Sequence, residues 1–134
     1  MKFKTLAIIT SVVMFVLGAG YLFAGAVLVG RWQIQPTESA LLIARRIGAV
    51  YLSLSVGFFF ARNAPVSVAR TALSVAIAVG CLLLASLGVY EFSAGRAGAG
   101  ILVSTIVESL LAIGYLWILA TQRRVLTGSV TTNS

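Results

Sequence analysis

The sequence predicts an all-α integral membrane protein with four transmembrane helices in an up-down bundle and both termini in the cytoplasm. Of its 134 residues, 60% are hydrophobic and 10% are charged, whereas soluble domains have about 45–50% apolar and roughly 25% charged residues. The charged residues are therefore too few to cover a water-facing surface. The apolar residues also fall into four segments, each near the ~20 residues that one bilayer crossing needs.

The first helix is expected at about residues 5–29, after the basic start with Lys2 and Lys4. Such a start is also found in signal peptides, but this apolar run is longer than the usual core of about 7–15 residues. We therefore expect an uncleaved helix. The second helix is expected at about 37–61, because Thr37 is a good N-cap residue and Glu38 is favoured at the positive end of a helix dipole.

The third and fourth helices are expected at about 68–90, after the break at Pro65, and at about 98–122. Together the four helices form one transmembrane domain, residues 1–124. The polar tail, residues 125–134, lacks helical periodicity and is expected to be disordered. In the link before the fourth helix, Glu91 and Arg96 are expected to form a surface ion pair of little energy.

The distribution of Lys and Arg predicts the orientation, since cytoplasmic loops are enriched in both. One side has six such residues and the other has two, or four if Arg45 and Arg46 reach that surface. The six are Lys2, Lys4, Arg62, Arg70, Arg123 and Arg124. We therefore expect both termini in the cytoplasm.

Small residues predict the packing faces, because they let helix backbones approach closely in lipid. We expect these stripes to pack within one bundle, with self-association as the alternative. The second helix contributes Ala49, Ser53 and Gly57, the third Ala72, Ala76, Gly80 and Gly88, and the fourth Gly100, Ser104 and Ala112.

Arg45 and Glu108 each continue a small-residue stripe and should therefore face the bundle. Counted from the cytoplasmic arginines, Arg45 lies about 25 Å up and Glu108 about 22 Å up. Tyr21 reaches the same level from the first helix. These residues predict a buried polar cluster that acts as a structural pair or as a ligand or ion site. In the remaining alternative the two charges do not meet and Glu108 is protonated.

The composition excludes several classes of function. The chain has no His, no Asp and one Cys, so clustered metal ligands, a Ser-His-Asp triad and a disulfide framework are all missing. We expect no metal, no cofactor and no enzymatic activity. The net charge of +7 would suggest nucleic acid in a soluble protein. Here the cations flank apolar segments, which predicts contact with membrane lipid and no nucleic-acid partner.

Some segments also carry a family resemblance. The stretch Ala44-Arg45-Arg46-Ile47-Gly48-Ala49-Val50-Tyr51-Leu52 is followed by Gly57 and the turn at Arg62, and Leu87-Gly88-Val89-Tyr90-Glu91 precedes a helix from Ser104 to Gly114 that contains Glu108. From about residue 5 to 122, the chain resembles small four-helix bacterial inner-membrane proteins of DoxX-like and unnamed domain-of-unknown-function type. The resemblance implies the architecture and a multi-pass location in the bacterial inner (plasma) membrane. These families largely lack an assigned activity, so it implies no mechanism.

Two hypotheses for the function follow. The first is an accessory or scaffold protein of the inner membrane that packs against itself, as a homo-oligomer, or against a larger membrane-protein complex. Its basis is the set of small-residue stripes in a chain without catalytic residues. The alternative is a proton-coupled small-solute transporter or a lipid-headgroup-binding protein that uses an intramembrane site of Arg45 and Glu108.

Overall fold

The computed structural model describes residues 2–128, with side chains as far as residue 122, and the regular structure of this part is entirely α-helical. The five helices are α1 (Phe3–Phe23), α2 (Gly25–Arg31), α3 (Glu38–Ala61), α4 (Val68–Ser93) and α5 (Gly100–Gly128). Four of them, α1, α3, α4 and α5, are long and apolar enough to cross a membrane. The structure is therefore that of a multi-pass helical membrane protein.

Side-chain caps fix the starts of α3 and α4. The Ala40 amide donates to Thr37 Oγ1 at 3.3 Å, and the Arg70 amide donates to Ser67 Oγ at 3.2 Å. Each bond satisfies one of the amides that a helix leaves free in its first turn. The observed start of α3 agrees with the cap expected at Thr37.

The first apolar segment is not one helix over residues 5–29, so that prediction is wrong. The backbone leaves helical geometry at Ala24, where φ is −130° and ψ is 31°, and α2 then begins at Gly25. The break folds α2 back onto α3, where an added Cβ at Gly25 would lie 3.6 Å from Ala44 Cβ. Hydropathy could not show this, because the run stays apolar across the break.

The C-terminal boundary also differs from the expected one. Helix α5 continues to Gly128, so residues 125–128 belong to the helix and not to a disordered tail. The rest of the expected tail, residues 129–134, lies outside the described residues.

The helices pack as two antiparallel pairs. In the first, α1 lies along α3, with Gly18 against Gly48 and Ser11 against Ser55. In the second, α4 lies along α5, where an added Cβ at Gly88 would overlap Thr105 Oγ1. Contact between the pairs is sparse and runs through α1 and α5, while the consecutive helices α3 and α4 hardly touch. One broad face of α3 is therefore left uncovered.

The four long helices meet mainly at the end where α1 begins and α3 and α5 end. Tyr115 of α5 is fully buried there, and its hydroxyl shares a 2.9 Å hydrogen bond with Thr10 Oγ1 of α1. Its ring lies 6.5 Å from that of Phe3 and 5.8 Å from that of Phe58. Tyr115 thus joins α1, α3 and α5 in one core.

The buried faces repeat with alternating steps of three and four residues. On α4 the buried residues are Ser74, Ala78, Cys81, Ala85 and Gly88, and on α3 they are Ala44, Gly48, Ser55 and Phe58. Such a repeat keeps one face toward an antiparallel neighbour. A strict four-residue stripe rotates by about 40° at each step and winds away from that neighbour.

For this reason the packing prediction is wrong for five of the ten residues named from the sequence. Ala49, Ser53 and Gly57 on α3 and Ala72 and Ala76 on α4 are exposed.

The other five have neighbours in the chain to different degrees. Gly88 and Ala112 are buried, and Gly80, Gly100 and Ser104 are half-buried. Gly100 packs against the Arg31 backbone, whereas Gly80 has no atom within 4 Å of an added Cβ.

Candidate functional site

The predicted cluster of Arg45, Glu108 and Tyr21 is not brought together as a unit. Arg45 follows the buried Ala44 on α3, and this single step turns its side chain to the exposed surface. Among residues 2–122, the one ion pair joins Arg96 to Glu91. The expected pair of Arg45 and Glu108 is therefore not formed. The error in register is one residue, or about 100° of helix rotation.

The Glu91–Arg96 pair is formed as the sequence predicted, and it joins the last turn of α4 to the link that follows. Arg96 donates to both carboxylate oxygens of Glu91, from Nε at 2.7 Å and from Nη2 at 3.1 Å. These hydrogen bonds raise the pKa of the Arg96 guanidinium. The pair is exposed and closes a surface loop, so it does not form a functional site.

Glu108 is half-buried on α5. Its carboxyl group is within electrostatic range of the hydroxyls of Tyr21 on α1 and Tyr51 on α3, and of the Cys81 thiol on α4. No cation among residues 2–122 pairs with it. Glu108 thus lacks the arginine partner expected from the sequence.

Aromatic rings form the α1 and α3 side of this region. Tyr21 stacks on Tyr51 with ring centroids 6.0 Å apart and an interplanar angle of 12°, and it meets the edge of Trp32 at 6.2 Å. Tyr21, Val29 and Ala44 form a small buried cluster at this end of the α1–α3 pair. The short helix α2 covers Tyr21 by placing Val29 and Trp32 over it. Tyr51 and the covering role of α2 were not identified from the sequence.

Two polar contacts inside the spans also escaped the sequence analysis. Ser11 Oγ donates to the Ser55 carbonyl at 2.9 Å, and Ser55 Oγ donates to the Ser11 carbonyl at 2.8 Å. This reciprocal pair joins α1 to α3, as the bond between Thr10 and Tyr115 joins α1 to α5. All four residues are buried. Their positions in the three-and-four repeat are the signal that could have identified them.

The second candidate is a surface, which we call the α3 outer face: Arg45, Ala49, Ser53 and Gly57. All four are exposed, and an added Cβ at Gly57 would meet nothing within 4 Å. Of the four candidate spans, α3 has the lowest mean hydropathy. It is also the least covered, with 22% of its most apolar stretch buried against 39% in α1.

Neither region has the composition of a metal centre. The residues that the structure describes contain no group of three or more Cys, Asp or Glu side chains close enough to hold an ion. Cys81 of α4 is the one cysteine of the chain, and it is buried in the hydrophobic core. The side chains of Glu108, Tyr21 and Tyr51 can therefore take part in proton transfer, hydrogen bonding and charge interactions.

Comparisons with protein-family models, with curated proteins and with solved structures find no match to this chain. The resemblance to DoxX-like proteins therefore stays a prediction.

Proposed function

We propose that the protein is a small accessory or scaffold subunit of the bacterial inner membrane, and that it acts by packing the α3 outer face against a second copy or against a larger membrane complex. The observation that carries this proposal is a mismatch on α3. The span least suited to lipid by its hydropathy is also the span least covered by its own chain.

The chemistry of this face favours a protein neighbour over lipid. Arg45 is exposed on a span, where a charged side chain is costly against hydrocarbon and gains from a partner. Ala49 and Gly57 leave room for a second backbone to approach closely.

The proposal includes the orientation of the bundle. We place both termini, and the turn between α3 and α4, in the cytoplasm, with α1, α3, α4 and α5 alternating in direction across the membrane. The excess of Lys and Arg at that end supports this placement. The antiparallel packing within each helix pair is compatible with it.

Substitution of Gly57 by Leu tests the α3 outer face. The open space at Gly57 admits a leucine in the isolated chain, and leucine is a better helix former than glycine. The leucine side chain would nevertheless hold a partner helix away from α3. We expect association, measured by native mass spectrometry of protein released from membranes, to weaken by about tenfold or more, equivalent to about 1.4 kcal/mol.

Gly80→Leu on α4 is the matched control, since an added Cβ there also meets nothing within 4 Å. Gly80→Leu should form the same oligomers or complexes, in the same proportions, as the unmodified protein. A protein that is monomeric and partner-free before substitution contradicts the proposal, as does a loss of association in Gly80→Leu alone.

A second candidate function depends on Glu108. A half-buried carboxyl group without a cationic partner among the described residues, facing Tyr21 and Tyr51, is suited to accept a proton or a cation during transport. In this alternative the protein is a proton-coupled transporter of a small solute. Glu108→Gln should then abolish proton-coupled flux in proteoliposomes, and unchanged flux would contradict it.

A further inference from the structure

A cavity of about 440 Å³ opens at the end of the bundle where α1 begins and α3 ends. We call it the basic cavity. Helices α1, α4 and α5 and the turn after α3 all contribute to its wall, including Lys2, Lys4, Arg62, Arg70, Thr121 and Gln122. Four of these six residues are cationic. Glu38, Glu91 and Glu108, the only acidic residues of the chain, all lie elsewhere.

Arg70 is held in one position in the wall of this cavity. Its Nη1 donates to the Ala64 carbonyl at 3.1 Å, and its guanidinium lies 4.1 Å from the centroid of the Phe3 ring. These two contacts fix the plane of the guanidinium group. Its Nε is buried and has no hydrogen-bond partner among the described residues. Nε is part of the fork with which arginine binds carboxylate or phosphate.

Gln122 supplies a second donor of the same kind. Its Nε2 is buried and likewise has no partner among the residues that the structure describes. Buried donors are almost always satisfied in proteins, because an unmade hydrogen bond is costly. Two such donors, from α4 and α5, line one cavity that also contains four cationic side chains. Neither nitrogen is accessible in this structure, so an acceptor with several oxygens and negative charge would satisfy both once the two side chains turn toward the cavity.

The start of α1 adds to the positive potential of the basic cavity. Lys2 occupies its N-cap position and provides no side-chain cap, so the first-turn amides of this 21-residue helix have no such acceptor. The positive end of a helix dipole favours an anion at this place.

From this arrangement we propose that the basic cavity binds a phosphate group, either as part of a phospholipid headgroup or as a free phosphate. A phosphate offers several strong acceptors to donors that converge from different helices, and Arg70 can hold two of them at once. The cavity lies at the ends of the membrane-spanning segments, where basic pockets between helices meet lipid headgroups. The basic cavity lies apart from the α3 outer face, and this proposal does not depend on the proposed function.

Binding measurements with two kinds of probe separate the two sources. For the lipid, the protein is reconstituted in phosphatidylcholine nanodiscs with or without phosphatidic acid or phosphatidylglycerol, and retained lipid is read by native mass spectrometry. For the free anion, inorganic phosphate or pyrophosphate is titrated into protein in phosphatidylcholine alone. Retention of the anionic lipids assigns the site to a headgroup, and saturable binding of the soluble probes assigns it to a free phosphate.

Arg70→Gln is the test variant, and Arg46→Gln, an exposed cation outside the cavity, is its charge-matched control. We expect Arg70→Gln to weaken binding about tenfold or more, as for loss of a charge-assisted hydrogen bond, with Arg46→Gln unchanged. If Arg70→Gln fails to fold, the exposed pair Lys2→Gln and Lys4→Gln must produce the loss. Absence of binding to every probe, or equal losses in test and control variants, would overturn the proposal.

Discussion

Replacement of Gly48 by Ala tests the close contact on which the α1–α3 pair depends. An added Cβ at Gly48 would lie 2.8 Å from the Gly18 carbonyl oxygen and 3.1 Å from the Leu22 amide nitrogen. Both neighbours are backbone atoms, so neither can rotate away. Ordinary contact begins at 3.4 Å, and the helices would therefore have to separate by about 0.6 Å at this level.

The expected cost follows from two opposing effects. Overpacking of a tight contact costs about 1–3 kcal/mol, while Ala in place of Gly in a helix gains up to about 1 kcal/mol. We therefore expect Gly48→Ala to lower the free energy of unfolding by up to about 2 kcal/mol and to be about 1–3 kcal/mol less stable than Gly57→Ala. The measurement is a denaturant titration in detergent micelles, followed by circular dichroism.

Gly57→Ala is the control on the same helix, because an added Cβ there meets nothing within 4 Å. It should be neutral or stabilise the protein by up to about 1 kcal/mol. The reasoning is refuted if Gly48→Ala is as stable as Gly57→Ala, since the contact between α1 and α3 would then not limit their approach.

Three further predictions concern the polar groups and the orientation. Tyr115→Phe removes the hydroxyl that bonds to Thr10 and should cost about 1 kcal/mol in the same titration, whereas Tyr90→Phe at an exposed site should be neutral. In a double-mutant cycle, Arg45→Ala and Glu108→Gln should have additive effects on the free energy of unfolding, within about 0.5 kcal/mol; a larger coupling would show that the two residues interact. A reporter protein that is active only in the cytoplasm should be active when it is fused after the last residue. Activity of a reporter that works only outside the cytoplasm would reverse the proposed orientation.

The sequence predicted the number of spans well because each crossing requires a long apolar run. The cap at Thr37 and the ion pair of Glu91 and Arg96 are confirmed for a different reason: both are local and depend on short spacings. The break at Ala24 could not be predicted from hydropathy. It comes from the return of α2 onto α3, which is a tertiary contact.

The candidate site was harder to predict, because it depends on helix rotation. A stripe of small residues at Arg45, Ala49, Ser53 and Gly57 suggests an inner face, yet the chain buries Ala44 and Gly48 in its place. Small residues occupy both faces of α3, so residue size alone does not distinguish them. The contact with α1 does, since Gly48 and Ser55 lie against Gly18 and Ser11.

The basic cavity was not predicted either. The sequence analysis used its cations only to predict the orientation. The unsatisfied Nε of Arg70 and Nε2 of Gln122 become visible only when four segments of the chain converge at one end.

The measurement that tests the proposed function most directly is site-specific photocrosslinking from Ser53 in intact membranes. A crosslinking amino acid at this exposed position on the α3 outer face is compared with one at Leu83, which is 66% exposed on α4. We predict a discrete protein adduct from Ser53, either at twice the mass of the chain or at the mass of one partner complex, and none from Leu83. Equal crosslinking to lipid alone from both positions would contradict a scaffold function through α3.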